Sequence, residues 1–436
     1  MFEIVEEQSG YEAYKSSTLP WLEKMPANWI EESGKWLFSK AERPVQVDDD
    51  IVTCFRDGEV TLRKNRRVDG FTNAIKEHGY QRIEKGDLVI HAMDAFAGAI
   101  GVSDSDGKST PVYSACVPRQ PNTVCPYYFA YQLRDIAHSG VILSLAKGIR
   151  ERSTDFRFND FGAMQFAVPS YNEQLRITKF LDDKTQKIDR AIAIKEAQIA
   201  RLEERKQILI QTAVTRGLDP NVPMKDSGVD WIGQIPAHWE VWKLKYLVSI
   251  NDCVLPETTE QDVSIEYVDI GSVSLEKGIE TTQIFDFRNA PSRARRIAMS
   301  GDTIISTVRT YLKAIAFIDT DASKNIYSTG FAILRPSKRV FPEFLSYCVK
   351  ADYFTNQVDI FSKGVSYPAI NSDDLGAMLV FLPPFNEQKE ITNFVKASLK
   401  LIFEADSSFK KAIKTLKEYR TSLINAAVTG KIKVPS

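Results

Sequence analysis

The chain repeats itself once. Residues 168–174 read VPSYNEQ and residues 382–388 read LPPFNEQ, 214 positions further on. At the same offset residues 161–164 match 375–378, Ala213-Val214-Thr215 matches Ala427-Val428-Thr429, and Tyr113-Ser114 matches Tyr327-Ser328. WLEKMPANW at 21–29 parallels WIGQIPAHW at 231–239, and Gly86-Asp87 parallels Gly301-Asp302. The offset drifts by a few residues, as expected of short loop insertions. Solenoid repeats have periods of roughly 20–50 residues. The chain is therefore a duplicated domain pair.

Each copy holds a mixed region with strand-like runs, such as 87–91 and 302–306, and closes on a long polar–apolar segment. Residues 173–215 contain neither Gly nor Pro and are rich in Lys, Glu, Gln, Ala and Leu, all strong helix formers. Asn172 stands where an N-cap belongs, after Pro169, and Gly217 follows the end; Asn386 and Gly430 do the same in the second copy. The layout is then an arm at 1–20, a domain at 21–171, a helix at 172–216 and a Pro- and Gly-bearing linker at 217–230. A second domain at 231–385, a helix at 386–430 and a tail at 431–436 follow.

The helices carry an apolar heptad. Leu181, Ile188, Leu202 and Leu209 recur in sevens, with Ile192 and Ile199 at companion positions. In the second helix Val395, Ile402, Phe409, Leu416 and Leu423 recur in the same way, accompanied by Leu399 and Ile413. Polar residues (Thr185, Lys195, Lys206, Asp406, Arg420) interrupt both stripes. Two seams in one chain pair most simply with each other. The expected fold is α+β, with two pseudo-two-fold related domains separated by two long antiparallel coiled-coil helices. A helix of about 43 residues is roughly 65 Å long.

Composition narrows the chemistry. The formal net charge of −1 over 436 residues gives no global basic signature, so any nucleic-acid surface is local. The five cysteines show no CxxC pairing and the four histidines are isolated, which argues against zinc and for buried thiols in a reducing compartment. No apolar run of about 18 residues exists. With no signal-peptide pattern at the N-terminus, the expected location is the cytoplasm, without membrane contact.

Three fragments imitate enzyme motifs and fail on inspection. Residues 96–101 (FAGAIG) resemble a glycine-rich cofactor loop, yet the second copy has YLKAIA at 311–316; tight packing explains these glycines better. Gly107-Lys108-Ser109 resembles the end of a P-loop, but Val102 stands where the upstream glycine is required. Residues 104–107 read as a surface turn. LPPF at 382–385 lacks the Asn or Asp that would accept a hydrogen bond from a flipped adenine, and the copy reads VPSY. No HExxH, GxSxG or convergent carboxylate and histidine cluster is present.

Basic clusters recur in both copies. Arg63, Lys64, Arg66 and Arg67 crowd five positions of the first domain; Arg288, Arg293, Arg295 and Arg296 occupy a similar place in the second. Arg309, Tyr311 and Lys313 follow the strand-like run at 302–306. A third group, Lys147, Arg150 and Arg152 beside Gly148, parallels Lys363 beside Gly364. Cations with neighbouring hydroxyls and aromatics suit phosphate contact and base-edge reading. The scaffold signatures repeat while 63–82 and 287–297 share almost no sequence, which suits two different half-sites.

WIGQIPAHWE at 231–240, GDTIISTVRTYLKAIAF at 301–317, PPFNEQ at 383–388 and AAVTG at 426–430 together resemble the specificity subunits of type I restriction-modification systems. The first copy departs from the pattern, with Ala92-Met93-Asp94-Ala95 where the second has Thr307-Val308-Arg309-Thr310. The resemblance implies a non-catalytic subunit that binds double-stranded DNA, each target-recognition domain reading one half of a bipartite target. It implies two methylation subunits that bring S-adenosylmethionine, and restriction subunits that use ATP and Mg; this chain itself is expected to hold no cofactor. A pseudo-symmetric helix pair would offer the same docking surface twice. The competing reading is a coiled-coil scaffold or adaptor that binds protein partners, against which the basic loops argue.

Overall fold

A computed structural model describes residues 10–66, 78–145, 155–229 and 232–435. The chain divides into two compact units, one of residues 1–195 with 411–436 and the other of residues 196–410.

The first unit is built on a four-stranded antiparallel sheet in the order Phe38–Lys40, Tyr113–Pro118, Leu88–His91, Ile100–Val102. Helix α1 (Pro126–His138) covers it, and its Tyr128 and Phe129 join Trp29, Phe38, Phe161 and Phe166 in the core. A second ladder pairs Ile30–Ser33 with Gln165–Val168 and delivers the chain into helix α2 (Tyr171–Arg216). Ile177, Leu181, Ile188 and Ile192 of α2 enter the same core as Leu423, Ala427 and Val428 near the end of the second long helix. Arg420 lies 3.0 Å from Asp189. Within this unit the two helices therefore run antiparallel.

The second unit repeats the plan. Its sheet runs Val248–Ile250, Phe331–Pro336, Thr303–Ser306, Ile315–Phe317, covered by helix α3 (Pro342–Lys350). Glu240–Lys243 pairs with Leu379–Leu382 ahead of helix α4 (Phe385–Val428). Ile210, Ala213 and Val214 from the end of α2 share a core with Ile391 and Val395 from the start of α4, around Trp239, Phe344 and Phe354. A second sheet, Gln283–Asp286, Ser264–Val268, Ile326–Ser328, Ala294–Ile297, contains one parallel pair, and the first unit has its counterpart in the ladders Val60–Leu62 with Val52–Cys54 and Gly107–Ser109 with Gln81–Ile83, joined by the parallel bridge of Ile51 with Lys108.

Two devices explain the repeated motifs. In GD, Gly86 and Gly301 take φ of 96° and 95°, where a side chain is disfavoured. The following Asp87 and Asp302 are buried and accept the backbone N–H of Glu84 and Met299. Each also receives an arginine on both oxygens, Arg43 in one unit and Arg335 in the other. In NEQ, the side-chain oxygen of Gln174 accepts from Cys125 N at 2.7 Å, while its Nε2 donates to Pro169 O and Thr123 O. Gln388 does the same with Phe341 N, Pro383 O and Arg339 O.

Several boundaries move. The long helices begin at Tyr171 and Phe385, one residue before Asn172 and Asn386, so these exposed asparagines are inside the first turn and are not caps. Gln174 N and Gln388 N bond instead to Ser170 O and Pro384 O. The arm and the linker are not free connections. Tyr14–Ser16 pairs with Lys24–Pro26, and Met224–Asp226 pairs with Gln234–Pro236. Tyr113 does not correspond to Tyr327. Tyr113 pairs with His91, and the residue in that position of the second unit is Phe331, opposite Ser306; Tyr327 lies on Ile326–Ser328, the counterpart of Gly107–Ser109. None of the heptad residues Leu181, Ile188, Ile192, Ile199, Leu202, Leu209, Val395, Leu399, Ile402, Phe409, Ile413, Leu416 and Leu423 is exposed.

Replacing Gln174 or Gln388 by leucine strands one buried N–H and two carbonyls. Each change should cost about 2–4 kcal/mol, read as a lowered thermal transition; an unchanged transition would show that the amide is dispensable. A second expectation concerns Lys350. Burial, and then the charge of Lys206, lower its pKa from 10.5 to about 8. Between about pH 8 and 10.5 the unfolded chain holds a proton here that the folded chain has released, so stability rises with pH across that window. Below it the full penalty applies. Lys350→Met should remove this rise and stabilise the protein at pH 7, measured by denaturant titration at both ends of the window.

Candidate nucleic-acid interface

In the second unit, two loops close against each other at one end of the sheet. The strand Thr303–Ser306 exits into residues 307–314, where Thr307 N bonds Gly330 O at 2.8 Å. A single 3-10 turn, Thr310–Leu312, is flanked by Arg309 and Lys313, both left-handed at φ 53° and 47°. Non-glycine residues pay about 1–2 kcal/mol each for that conformation. The partner loop, 362–369, is pinched shut by Lys363 N to Ala369 O and Ala369 N to Lys363 O. Thr310 N to Pro368 O, Ile370 N to Thr307 O, and Thr310 Oγ1 with Ser362 Oγ at 2.9 Å join the two loops.

This construction turns side chains outward. Tyr311, Leu312, Tyr367 and Val365 are exposed, an unusual number of large apolar groups for two short loops. The Arg309 guanidinium rides 5.3 Å from the centre of the Tyr367 ring. Lys313 and Lys363 flank the pair, each with one distant carboxylate, Asp352 at 3.7 Å and Asp374 at 3.8 Å. Arg293 adjoins the same loops, since its carbonyl accepts from Thr329 N, one residue before Gly330. Arg309, Tyr311, Lys313 and Lys363 are thus brought together, with the Arg293 backbone beside their loops.

Arg295 and Arg296 are half-buried instead. Arg295 lies 4.8 Å from the Phe287 ring centre, and Arg296 Nε is buried without an acceptor, burial lowering its pKa. Arg288 is near Asp286 at 3.6 Å. Sequence reasoning missed Tyr367 and Val365. The available signal was the Gly364 and Pro368 that bracket them, two residues that punctuate loops.

The first unit is balanced differently. Arg63 Nε donates to Thr53 Oγ1, Lys64 pairs with Asp50, and Arg66 bridges Asp57 and Glu59 while stacking 4.2 Å from Phe55. These cations already hold partners. At the position of Arg309 stands Asp94, 2.8 Å from Arg56. Arg67, Lys147, Arg150 and Arg152 lie outside the described residues.

The near-miss motifs resolve into packing. A side chain at Gly101 would overlap the Gly58 carbonyl, as the expected tight packing requires. Gly107 begins the strand Gly107–Ser109 against Asp50 O rather than ending a surface turn, a correction that also removes the phosphate loop. Among the described residues no three His, Cys, Asp or Glu side chains gather as a metal site, and no helix is long and apolar enough to cross a membrane.

No family model matches the chain. Among curated proteins it is 26% identical over 282 residues to the type I restriction enzyme MjaVIII specificity subunit of Methanocaldococcus jannaschii, covering 63% of each. It is 25% identical over 316 residues to the putative MjaX specificity subunit of the same organism, covering 72% of this chain and 69% of that one. The first match thus spans less than two thirds of the relative. Among solved structures, a chain from a type I restriction-modification system superposes with a TM-score of 0.69 at 15% identity, covering 94% of this chain and 99% of that one. The fold is that of a type I specificity subunit. The HsdS subunit of Thermoanaerobacter tengcongensis gives a TM-score of 0.57 at 16% identity, covering 94% and 98%. Curated specificity subunits and solved HsdS chains thus agree on one set of relatives, as the sequence resemblance implied.

The 3-10 turn before Lys313 needs no side chain at its left-handed C-terminal position, since the first unit has Gly98, φ 90°, at the position of Lys313. Lys313→Gly should therefore leave the thermal midpoint level or raise it, the relieved strain offsetting a more flexible unfolded chain at about 0.5–1 kcal/mol. A marked loss of stability would make Lys313 a structural residue.

Proposed function

We propose that this chain recognises duplex DNA sequence-specifically as the specificity subunit of a type I restriction-modification complex. Each unit would read one half of a bipartite target. The observation that carries this reading is the double loop of the second unit, which holds Arg309 and Lys313 in a strained backbone and leaves Tyr311 and Tyr367 open. Strain persists where the surrounding structure enforces it, and it gathers at functional sites. Guanidinium and ammonium groups read guanine edges and phosphates, and exposed rings pack on sugars and bases.

The long helices suit a second role. Ile208 of α2 and Phe394, Leu401 and Phe403 of α4 are exposed although they lie on helices whose heptad faces are covered. We propose that such apolar positions dock two methylation subunits and that the helix length sets the gap between half-sites. S-adenosylmethionine, ATP and Mg would then belong to partner subunits, and this chain would carry out no chemistry itself. A cytoplasmic setting follows from that partnership.

Selection from randomised duplexes with the methylation subunits present tests the reading. The wild type should enrich two fixed half-sites. Arg309→Ala with Lys313→Ala should weaken specific binding by about 1–3 kcal/mol per lost base contact and relax only the half-site read by the second unit. Enrichment of no sequence, or relaxation of both halves alike, would refute it.

A further inference from the structure

The loop at 92–98 in the first unit is the counterpart of 307–313. Each follows the same strand of its four-stranded sheet, and each contains a single 3-10 turn, Ala95–Ala97 or Thr310–Leu312. The residue that opens the turn is Asp94 in one unit and Arg309 in the other. A carboxylate thus stands where the second unit has its guanidinium. The first unit brings a guanidinium to the same place from elsewhere in the chain.

That group belongs to Arg56. It sits in the turn between Val52–Cys54 and Val60–Leu62, which is closed by Phe55 N to Glu59 O and Gly58 N to Phe55 O, both at 2.9 Å. The turn is pressed onto the loop, since a side chain at Gly98 would come within 2.9 Å of the Arg56 carbonyl. Arg56 Nη2 donates to Asp94 Oδ1 at 2.8 Å. The other carboxylate oxygen, Oδ2, lies 3.4 Å from His91 Nδ1, and the His91 ring is held 4.5 Å from that of Tyr113. Asp94 is therefore fixed from two sides. Among the described residues no other group accepts from the Arg56 guanidinium. Its side chain is 67% exposed, so the pair adds little to stability and the rest of the fork is open to a ligand.

What such a pair can bind follows from its charge. A phosphate contact draws its strength from net positive charge and counterion release, and a carboxylate 2.8 Å away cancels that charge. The carboxylate leaves direction intact: planar N–H groups whose orientation is set by the bond to Asp94. The major-groove edge of guanine, N7 beside O6, is uncharged and offers two acceptors that match this fork. We propose that Arg56 reads a guanine in the half-site of the first unit and that Asp94 is its positioning residue. The proposal rests on the reading of this chain as a DNA-recognition subunit, and it adds the base and the residue that selects it.

Selection from randomised duplexes, with the methylation subunits present, is run on the wild type and on variants of the pair. The wild type should fix two half-sites. Arg56→Ala should lower the preference for guanine at one base pair by roughly 5- to 150-fold and leave every other position fixed. That base pair should fall in the half-site that changing Arg309 and Lys313 leaves untouched. Arg56→Lys keeps the charge without the fork and should lose the preference too. Asp94→Asn, whose amide oxygen still accepts from Nη2, should retain it, and Asp94→Ala should weaken it with the thermal midpoint level. Arg56→Ala with Asp94→Ala removes the pair at constant net charge, so the salt slope of binding should not change; a phosphate contact would lower the slope by about one. A lowered slope with all bases still fixed, a relaxed pair other than G·C, or a preference that survives Arg56→Ala overturns the proposal and leaves the recognition reading standing. Enrichment of no sequence by the wild type overturns both.

Discussion

The buried amides of Gln174 and Gln388 are where each globular domain is joined to its long helix. Three hydrogen bonds from one side chain fix the strand exit, the loop before α1 or α3 and the first helical turn relative to one another. No apolar residue could do this, because the groups being joined are backbone donors and acceptors that burial would otherwise strand. Glutamine is long enough to reach two carbonyls and an N–H, and it carries no charge to desolvate. The direction in which each helix leaves its sheet follows from this joint.

Around the joint, the copies solve the same local problems with different residues. Glu173 accepts from Tyr11, whereas Glu387 accepts from Trp239 and faces His238, leaving Trp29 Nε1 in the first unit without an acceptor. Asp87 and Asp302 are satisfied by arginines from unrelated strands and loops. A duplicated scaffold therefore tolerates drift wherever a buried group can find any partner of the right charge. It resists drift where one side chain serves several backbone groups at once.

That distinction decides what was legible in the sequence. The duplication, the long helices and their apolar faces could be read because 3.6-residue periodicity and the Gly-terminated segments leave direct marks. The GD and NEQ motifs could be found, but their purpose could not, since their partners lie 33 to 49 residues or more away in several cases. Tyr113 was misaligned because Ile326–Ser328, the counterpart of the strand Gly107–Ser109, happens to end in the same two letters that open Tyr113–Pro118. Among the cations, spacing found Arg309, Lys313 and Lys363. It could not tell them from Lys64 or Arg66, whose acidic partners come from neighbouring turns.

The ends of the described chain meet in the first unit, where Tyr14 Oη donates to the carbonyl of Gly430. The middle of the chain makes the equivalent approach in the second, with Gly217 packed against Glu387 and Trp239. In each unit the start of the domain thus closes against the end of a long helix or the residue just past it, Tyr14 on Gly430 in one and Trp239 on Gly217 in the other. Each unit therefore completes its core with a helix end lent by the other copy, Leu423, Ala427 and Val428 in one and Ile210, Ala213 and Val214 in the other, and neither copy could close its core from its own residues alone.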